Sequence, residues 1–199
     1  KPALPAILEA GIGVIASANN GDEVAVISPS LEADIGTLTH RYLELIAKHG
    51  HCDWTSSRIT ALETAMQRWL LQQGHQDLHA KQGAQTVVQL LIKTLQSKDG
   101  QWVLQARTGA DQEFAQEFFD GEVKKRIIDR TFIENDVRWI IDYKTTQAVA
   151  DLSEVSLIQA AGEHQQQLRG YAALFADEDL PIKTAVFFVN IGRLIEVAV

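Results

Sequence analysis

The chain has one cysteine, one methionine and four prolines in 199 residues, and these scarcities exclude several classes of protein. A lone thiol, Cys52, cannot close an internal disulfide, and it rules out a multi-cysteine zinc or iron–sulfur site. No apolar run approaches the roughly 18 residues of a membrane-crossing helix. No signal-peptide pattern opens the sequence. Together these absences predict a cytoplasmic protein with no membrane partner. Phosphate-cradling glycine loops are also missing: Gly11-Ile12-Gly13 lacks the rest of the spacing, and Gly109 and Gly121 stand alone. The first residue is Lys1 and the only methionine is Met66, so a piece of a longer polypeptide is expected.

What is present is an ordinary apolar share, 46%, enough for one sizeable core or for one domain with a helical elaboration. The net charge of −8 argues at face value against a nucleic-acid partner. The basic residues Lys124, Lys125, Arg126, Arg130, Arg138 and Lys144 nevertheless gather in one stretch, so the local sign there opposes that of the whole chain.

Residues 1–34 carry Pro2, Pro5 and an Asn19-Asn20-Gly21-Asp22 turn and read as a connector or peripheral segment, with Glu23–Ser28 as a short strand. A helix is predicted from Ile35, with Thr37 as its cap and Gly50 as its stop. Helical spacing predicts two more over 56–73 and 81–97. The period then changes, predicting strands at Trp102–Ala106 and Phe114–Phe119. A hairpin follows, then a long helix over 155–176 and strands over 183–190 and 193–199. Helices first, then antiparallel strands, then a helix and further strands make an α/β chain in α+β order, not a doubly wound nucleotide fold.

The hairpin carries the chemistry. Arg-Ile-Ile-Asp129-Arg and Trp-Ile-Ile-Asp142-Tyr-Lys-Thr flank Asn135-Asp136, two residues that tolerate the left-handed backbone of a two-residue turn. If Glu134 pairs with Val137, Asp129 falls opposite Asp142, with β-carbons about 5 Å apart. Lys144 returns to their face. The other face would hold Ile128, Phe132, Val137, Trp139, Ile141 and Tyr143, an apolar set fit for burial. Like charges opposite one another destabilise a sheet unless something neutralises them, and a magnesium or manganese ion does so through hard oxygen ligands. A lysine beside metal-bound carboxylates can position the attacking water and offset developing negative charge. The plainer alternative is that Asp129 pairs with Lys144 or Arg130 and merely closes the sheet.

Four segments in order extend the pattern: Gly36-Thr-Leu-Thr-His40, Ile128-Asp129-Arg130, Asp142-Tyr143-Lys144-Thr145 and Gln167-Leu-x-x-Tyr171. Their order and spacing resemble the RecB-like branch of the PD-(D/E)XK nucleases, over roughly residues 35–190. The likeness is strongest to the nuclease module at the C-terminus of UvrD/Rep-type helicase–nucleases such as RecB and AddA. The resemblance implies a restriction-endonuclease-like core over residues 35–199, a central mixed sheet flanked by helices with an N-terminal helical elaboration. It implies that His40, Asp129, Asp142 and the backbone carbonyl of Tyr143 hold Mg²⁺, with Mn²⁺ able to substitute, and that Asp129, Asp142 and Lys144 are catalytic. Gln167 and Tyr171 would bind or orient substrate. Glu113 corresponds to an acidic residue some relatives keep near the metal, although Gln112, Glu113 and Glu117 equally suit a solvated face.

The function implied is a metal-dependent DNA nuclease, an exonuclease on single-stranded DNA fed by a helicase motor in double-strand break repair and recombination. Its partners would be DNA, an upstream UvrD-like helicase region of the same polypeptide, and a second helicase–nuclease subunit. The competing expectations are a catalytically silent nuclease-like domain that binds DNA or docks a partner, and a purely structural α+β domain. A stand-alone nuclease of the Cas4 type is disfavoured by the missing cysteines. Two positions depart from the family pattern: Arg126-Ile127 where relatives often have Gly, and His164 where an aromatic residue commonly stands.

Overall fold

A computed structural model describes residues 30–107, 114–119, 122–145 and 152–199. The expected Glu23–Ser28 strand and Glu113 lie outside the described residues. Helix α1, Leu31–His49, starts four residues earlier than predicted because Ser30, not Thr37, caps it. The Ser30 hydroxyl accepts the Ala33 N–H at 3.3 Å, and Glu32 and Asp34 occupy the positive first turn. Thr37 instead sits nearly two turns inside and donates to the Ala33 carbonyl at 3.0 Å. Gly50, at φ 79°, ends the helix as expected.

The second predicted helix is split at Leu62 into α2 (Ser56–Ala61) and α3 (Glu63–Gln72). Helix α4 runs Asp77–Gln96. The strand expected at Trp102–Ala106 is instead α5, Lys98–Val103: the Ser97 hydroxyl accepts the Gly100 N–H at 3.0 Å and nucleates a turn of helix. Val103 and Leu104 are then buried consecutively, which no alternating strand could achieve with one wet face. The long helix predicted over 155–176 is two, α6 (Glu154–Gly162) and α7 (Gln165–Ala172), followed by a 3₁₀ turn at Ala173–Phe175.

Strands β1 (Phe114–Phe119) and β2 (Glu122–Ile127) pair antiparallel as a separate ribbon. The main sheet has the order β3 (Arg130–Glu134), β4 (Val137–Lys144), β5 (Ile182–Phe188), β6 (Arg193–Val197), with only β4 and β5 parallel. Asn135 and Asp136 take φ 52° and 58°, the mirror-image turn whose twist matches that of the strands. It sets the anticipated register, Glu134 with Val137 and Phe132 with Trp139.

Alternation along β4 feeds two cores. Phe132, Ile141, Tyr143 and Phe187 pack with Leu38, Tyr42 and Leu91 of the N-terminal helices. Ile140, Val186 and Phe188 pack on the other side with Leu157, Leu168 and Phe175. Ile128 departs from expectation. It joins the second cluster, not the face of Phe132, because the chain bends at Asp129 before the first paired residue and strand alternation does not extend through the bend. The architecture is a mixed four-stranded sheet between two helical layers, and no described helix is long and apolar enough to cross a membrane.

Candidate active site at the end of the central strands

Four elements converge where β4 ends and β3 begins. Asp142 and Lys144 lie two residues apart on β4 and share a face. Asp142 is 3% exposed, and its Oδ2 meets the Lys144 Nζ at 2.8 Å. From α7, the Gln167 amide spends both of its N–H bonds in one place. It donates to Asp142 Oδ1 at 3.0 Å and to the Tyr171 hydroxyl at 2.8 Å. Gln167 and Tyr171 reach the same spot because residues four apart share one side of a helix. Leu168 and Tyr171, both buried, anchor that side on the sheet.

Asp129 completes the group from the bend ahead of β3. Its Oδ2 accepts the Tyr143 N–H at 2.8 Å, tying the bend to β4, and its Oδ1 faces His40 Nδ1 at 3.0 Å. His40 comes from α1, on the opposite side of the sheet from α7, and its ring meets that of Tyr143 edge-on at 5.6 Å. Every site residue expected from the sequence within the described residues is thus in this one group: His40, Asp129, Asp142, Tyr143, Lys144, Gln167 and Tyr171. The simple pairing of Asp129 with Lys144 or Arg130 gives way to a different pattern. Asp129 meets His40, Lys144 meets Asp142, and Arg130 reaches the Gln105 carbonyl at 2.9 Å.

The electrostatics follow from crowding two carboxylates into a half-buried seam. Burial, and then the charge of Asp129, push the Asp142 carboxyl above its ordinary range, and Lys144 offsets only part of this. Burial pulls the His40 imidazole down, but the hydrogen bond and charge of Asp129, helped by Asp142, outweigh it and leave the ring raised. The Tyr143 phenol is raised as well, chiefly by burial. His164, just ahead of α7, is lowered by burial and by the Lys144 charge. Its imidazole therefore feels the site.

Among the described residues no three His, Cys, Asp or Glu side chains form a ready-made metal cluster. The donor chemistry nevertheless suits a hard divalent cation. Asp129 and Asp142 supply oxygens for it in one seam, where burial first and the charge of Asp129 second raise the Asp142 carboxyl. Such a cation would be held by Asp129 and Asp142, with His40 and the Tyr143 carbonyl beside them.

A groove of about 480 Å³ opens from this point along α1, lined by Glu32, Gly36, Thr37, His40, Lys144 and Thr145 among others. Gly36 lets the helix approach: a Cβ there would stand 3.3 Å from Thr145 Oγ1. Glu32 had no place in the sequence-based site, and Thr145 entered it only as the end of the Asp142–Thr145 segment. The spacing Glu32–Gly36–His40, one residue per helical turn, is the signal that joins Glu32 to it.

The family model for the PD-(D/E)XK nuclease superfamily matches residues 16–197. No curated protein matches the chain.

Proposed function

This chain belongs to the PD-(D/E)XK nuclease superfamily, and we propose that it is an active, Mg²⁺-dependent deoxyribonuclease of the RecB-like branch. Superfamily membership carries the general chemistry, metal-dependent hydrolysis of nucleic-acid phosphodiesters. The observation that supports an active enzyme is the single group formed by Asp129, Asp142, Lys144 and His40, with Gln167 bonded to Asp142. When bound, the cation supplies positive charge at the scissile phosphate and acidifies a water.

The protein's own groups do the rest. Asp129 and Asp142 fix the ion's position, with His40 and the Tyr143 carbonyl as further donors. Lys144, held 2.8 Å from Asp142, aligns the attacking water and offsets negative charge as the phosphorus becomes five-coordinate. The water gives up a proton to solvent as its oxygen bonds to phosphorus, the bond to the leaving oxygen breaks, and that oxygen takes up a proton from solvent. Gln167, braced by Tyr171, keeps the Asp142 carboxylate oriented, the role that outer-shell partners play around metal ligands.

The finer reading follows the order of the motifs. Residues 35–199 would be the nuclease domain of a helicase–nuclease and residues 1–34 its connector. Single-stranded DNA would arrive from a UvrD-like motor upstream in the same polypeptide, with a second subunit as partner, for exonucleolytic processing of broken ends in the cytoplasm. Phosphate contacts would dominate, giving little sequence preference. End-labelled single-stranded DNA incubated with Mg²⁺ or Mn²⁺ tests the chemistry. Stepwise shortening from an end, lost in Asp142→Ala and Lys144→Ala, is expected, and cleavage that persists in both variants would defeat the assignment. Circular single-stranded DNA, which has no ends, separates exonuclease from endonuclease action.

A further inference from the structure

A second concavity, of about 410 Å³, lies beside the β5–β6 turn and the α4–α5 junction. Its walls include Lys93, Lys98 and Arg193, with Ser97, Asp99 and Gly192 between them. All three cations are exposed, and Asp99 is the only carboxylate among the lining residues. That carboxylate is already committed. It accepts the Leu194 N–H at 2.9 Å, which ties β6 to α5, and lies 3.8 Å from Arg193 Nε. No ion pair engages Lys93 or Lys98 among the described residues. In a chain of net charge −8, this is a concentrated positive site built from three separate elements.

Its place in the sheet relates it to the carboxylate group. Phe188 on β5 pairs with Lys144 on β4 and with Arg193 on β6, so these three residues form one row across neighbouring strands. The Val189 N–H donates to the Lys144 carbonyl at 2.9 Å, fastening the β5–β6 turn to the end of β4. With strands about 4.8 Å apart, Arg193 starts about 10 Å from Lys144. Phosphates of a stacked strand advance about 3.4 Å per nucleotide, so that gap is about three nucleotides. The turn is held tightly against the helices: at Gly192, φ 67°, a Cβ would fall 2.8 Å from Ser97 Cβ. This tightness delivers Arg193 to the lysines of the other two elements.

We propose that the Lys93–Lys98–Arg193 concavity is a backbone-phosphate site, gripping the strand being cut about three nucleotides from the scissile bond. The inference rests on the nuclease reading for its geometry and adds the course of the strand: from the Asp129–Asp142 seam, across the ends of β4 and β5, to the start of β6. Three cations in one concavity, with Arg193 starting about three nucleotides from Lys144, fit a regular polyanion. An acidic protein segment is the competing occupant, and it would have no reason to sit in line with Lys144.

The test measures binding of a fluorescent oligothymidylate, without divalent ions so that nothing is cleaved, to the intact chain and to K93Q/K98Q/R193Q across a salt series. Each phosphate contact contributes about 0.7 to the slope of log K against log salt for single strands, so the triple variant should lose about 2 from that slope. It should also bind at least about ten-fold more weakly at low salt, with the gap closing as salt rises. The charge-preserving K93R/K98R/R193K chain should bind as the wild type does. In hydrolysis, KM should rise for long oligonucleotides with kcat unchanged, and thymidine p-nitrophenyl phosphate, too short to span the gap, should be cut at the wild-type rate.

An unchanged slope in the triple variant, or no DNA binding by the wild type, overturns the site. So does a triple variant that binds DNA normally but no longer binds polyglutamate, which would mark an acidic-protein surface instead. If the wild type binds with the expected slope but never cleaves, the phosphate site stands and the nuclease reading fails.

Discussion

At the level of single side chains, the site is a compromise between stability and chemistry. The Asp142 carboxyl is shifted up by burial and by Asp129, so the folded state favours its protonated form and ionisation at neutral pH opposes folding. Asp142→Asn removes that like charge in the same shape. The expected outcome is loss of at least about 10³-fold in cleavage rate with thermal stability held or raised, read by a gel assay and a calorimetric scan side by side. A fall in stability matching the fall in activity would mean that Asp142 is chiefly structural. Gln167→Ala leaves both carboxylates and Lys144 in place and removes only the brace. Activity or metal affinity should drop about 10–100-fold, the usual cost of losing an outer-shell partner.

Local elements supply a different set of expectations. The β3–β4 turn places two non-glycine residues at positive φ, Asn135 at 52° and Asp136 at 58°. Glycine adopts the second position without a Cβ clash, and relief of that left-handed strain outweighs the freedom gained when unfolded, so Asp136→Gly should stabilise the chain by about 0.5–1 kcal/mol in denaturant unfolding. At the other end of the site's scaffold, Ser30→Ala removes the α1 cap and should cost about 1 kcal/mol. Because His40 rides on α1, the same variant tests whether fraying at Ser30 reaches the site. Cleavage is expected to survive, since His40 lies nearly three turns in.

The elements also show why some were readable and others were not. The hairpin register followed from two turn residues and alternation alone, and it held from Arg130 to Ile141. It stopped short of the expected Asp129–Asp142 pair and failed at Ile128, because the bend at Asp129 rotates the chain out of the pleat. Trp102–Ala106 read as a strand because the helical period lapses there and Trp and Val favour strands, but the Ser97 cap and burial against β3 and β4 made Lys98–Val103 helical. Trp102 stacks edge-on with Phe132 and Trp139 and donates to Glu134 at 2.9 Å. Propensity yields to tertiary contact there. The breaks at Leu62 and after Gly162 interrupt helical patterns that look continuous, because periodicity reports which face is apolar and not where the axis turns.

For the whole molecule, the expected reagent is a divalent ion. Chelation should abolish cleavage, and Mg²⁺ or Mn²⁺ should restore it. Binding to the folded state alone should also raise the melting temperature, since a ligand at 100 times its dissociation constant contributes about 2.7 kcal/mol. That shift should vanish in the Asp129→Ala/Asp142→Ala double variant. A melting temperature indifferent to both ions in the wild type would argue that no ion binds between the carboxylates. The overall charge of −8 predicts little of this, because binding responds to the field in the cleft and not to the sum over the surface.

Residue order alone determined the mixed α/β class, the turn and register of the hairpin, and which residues to look for in the candidate site, because short-range pairing and family spacing are written along the chain. Folding in three dimensions settled the rest. It set Asp129 against His40 and Gln167 against Asp142, and it aligned Phe188 with both Lys144 and Arg193. Those meetings join residues up to 89 positions apart. No local periodicity encodes them; they arise only when two helical layers close on opposite faces of one sheet.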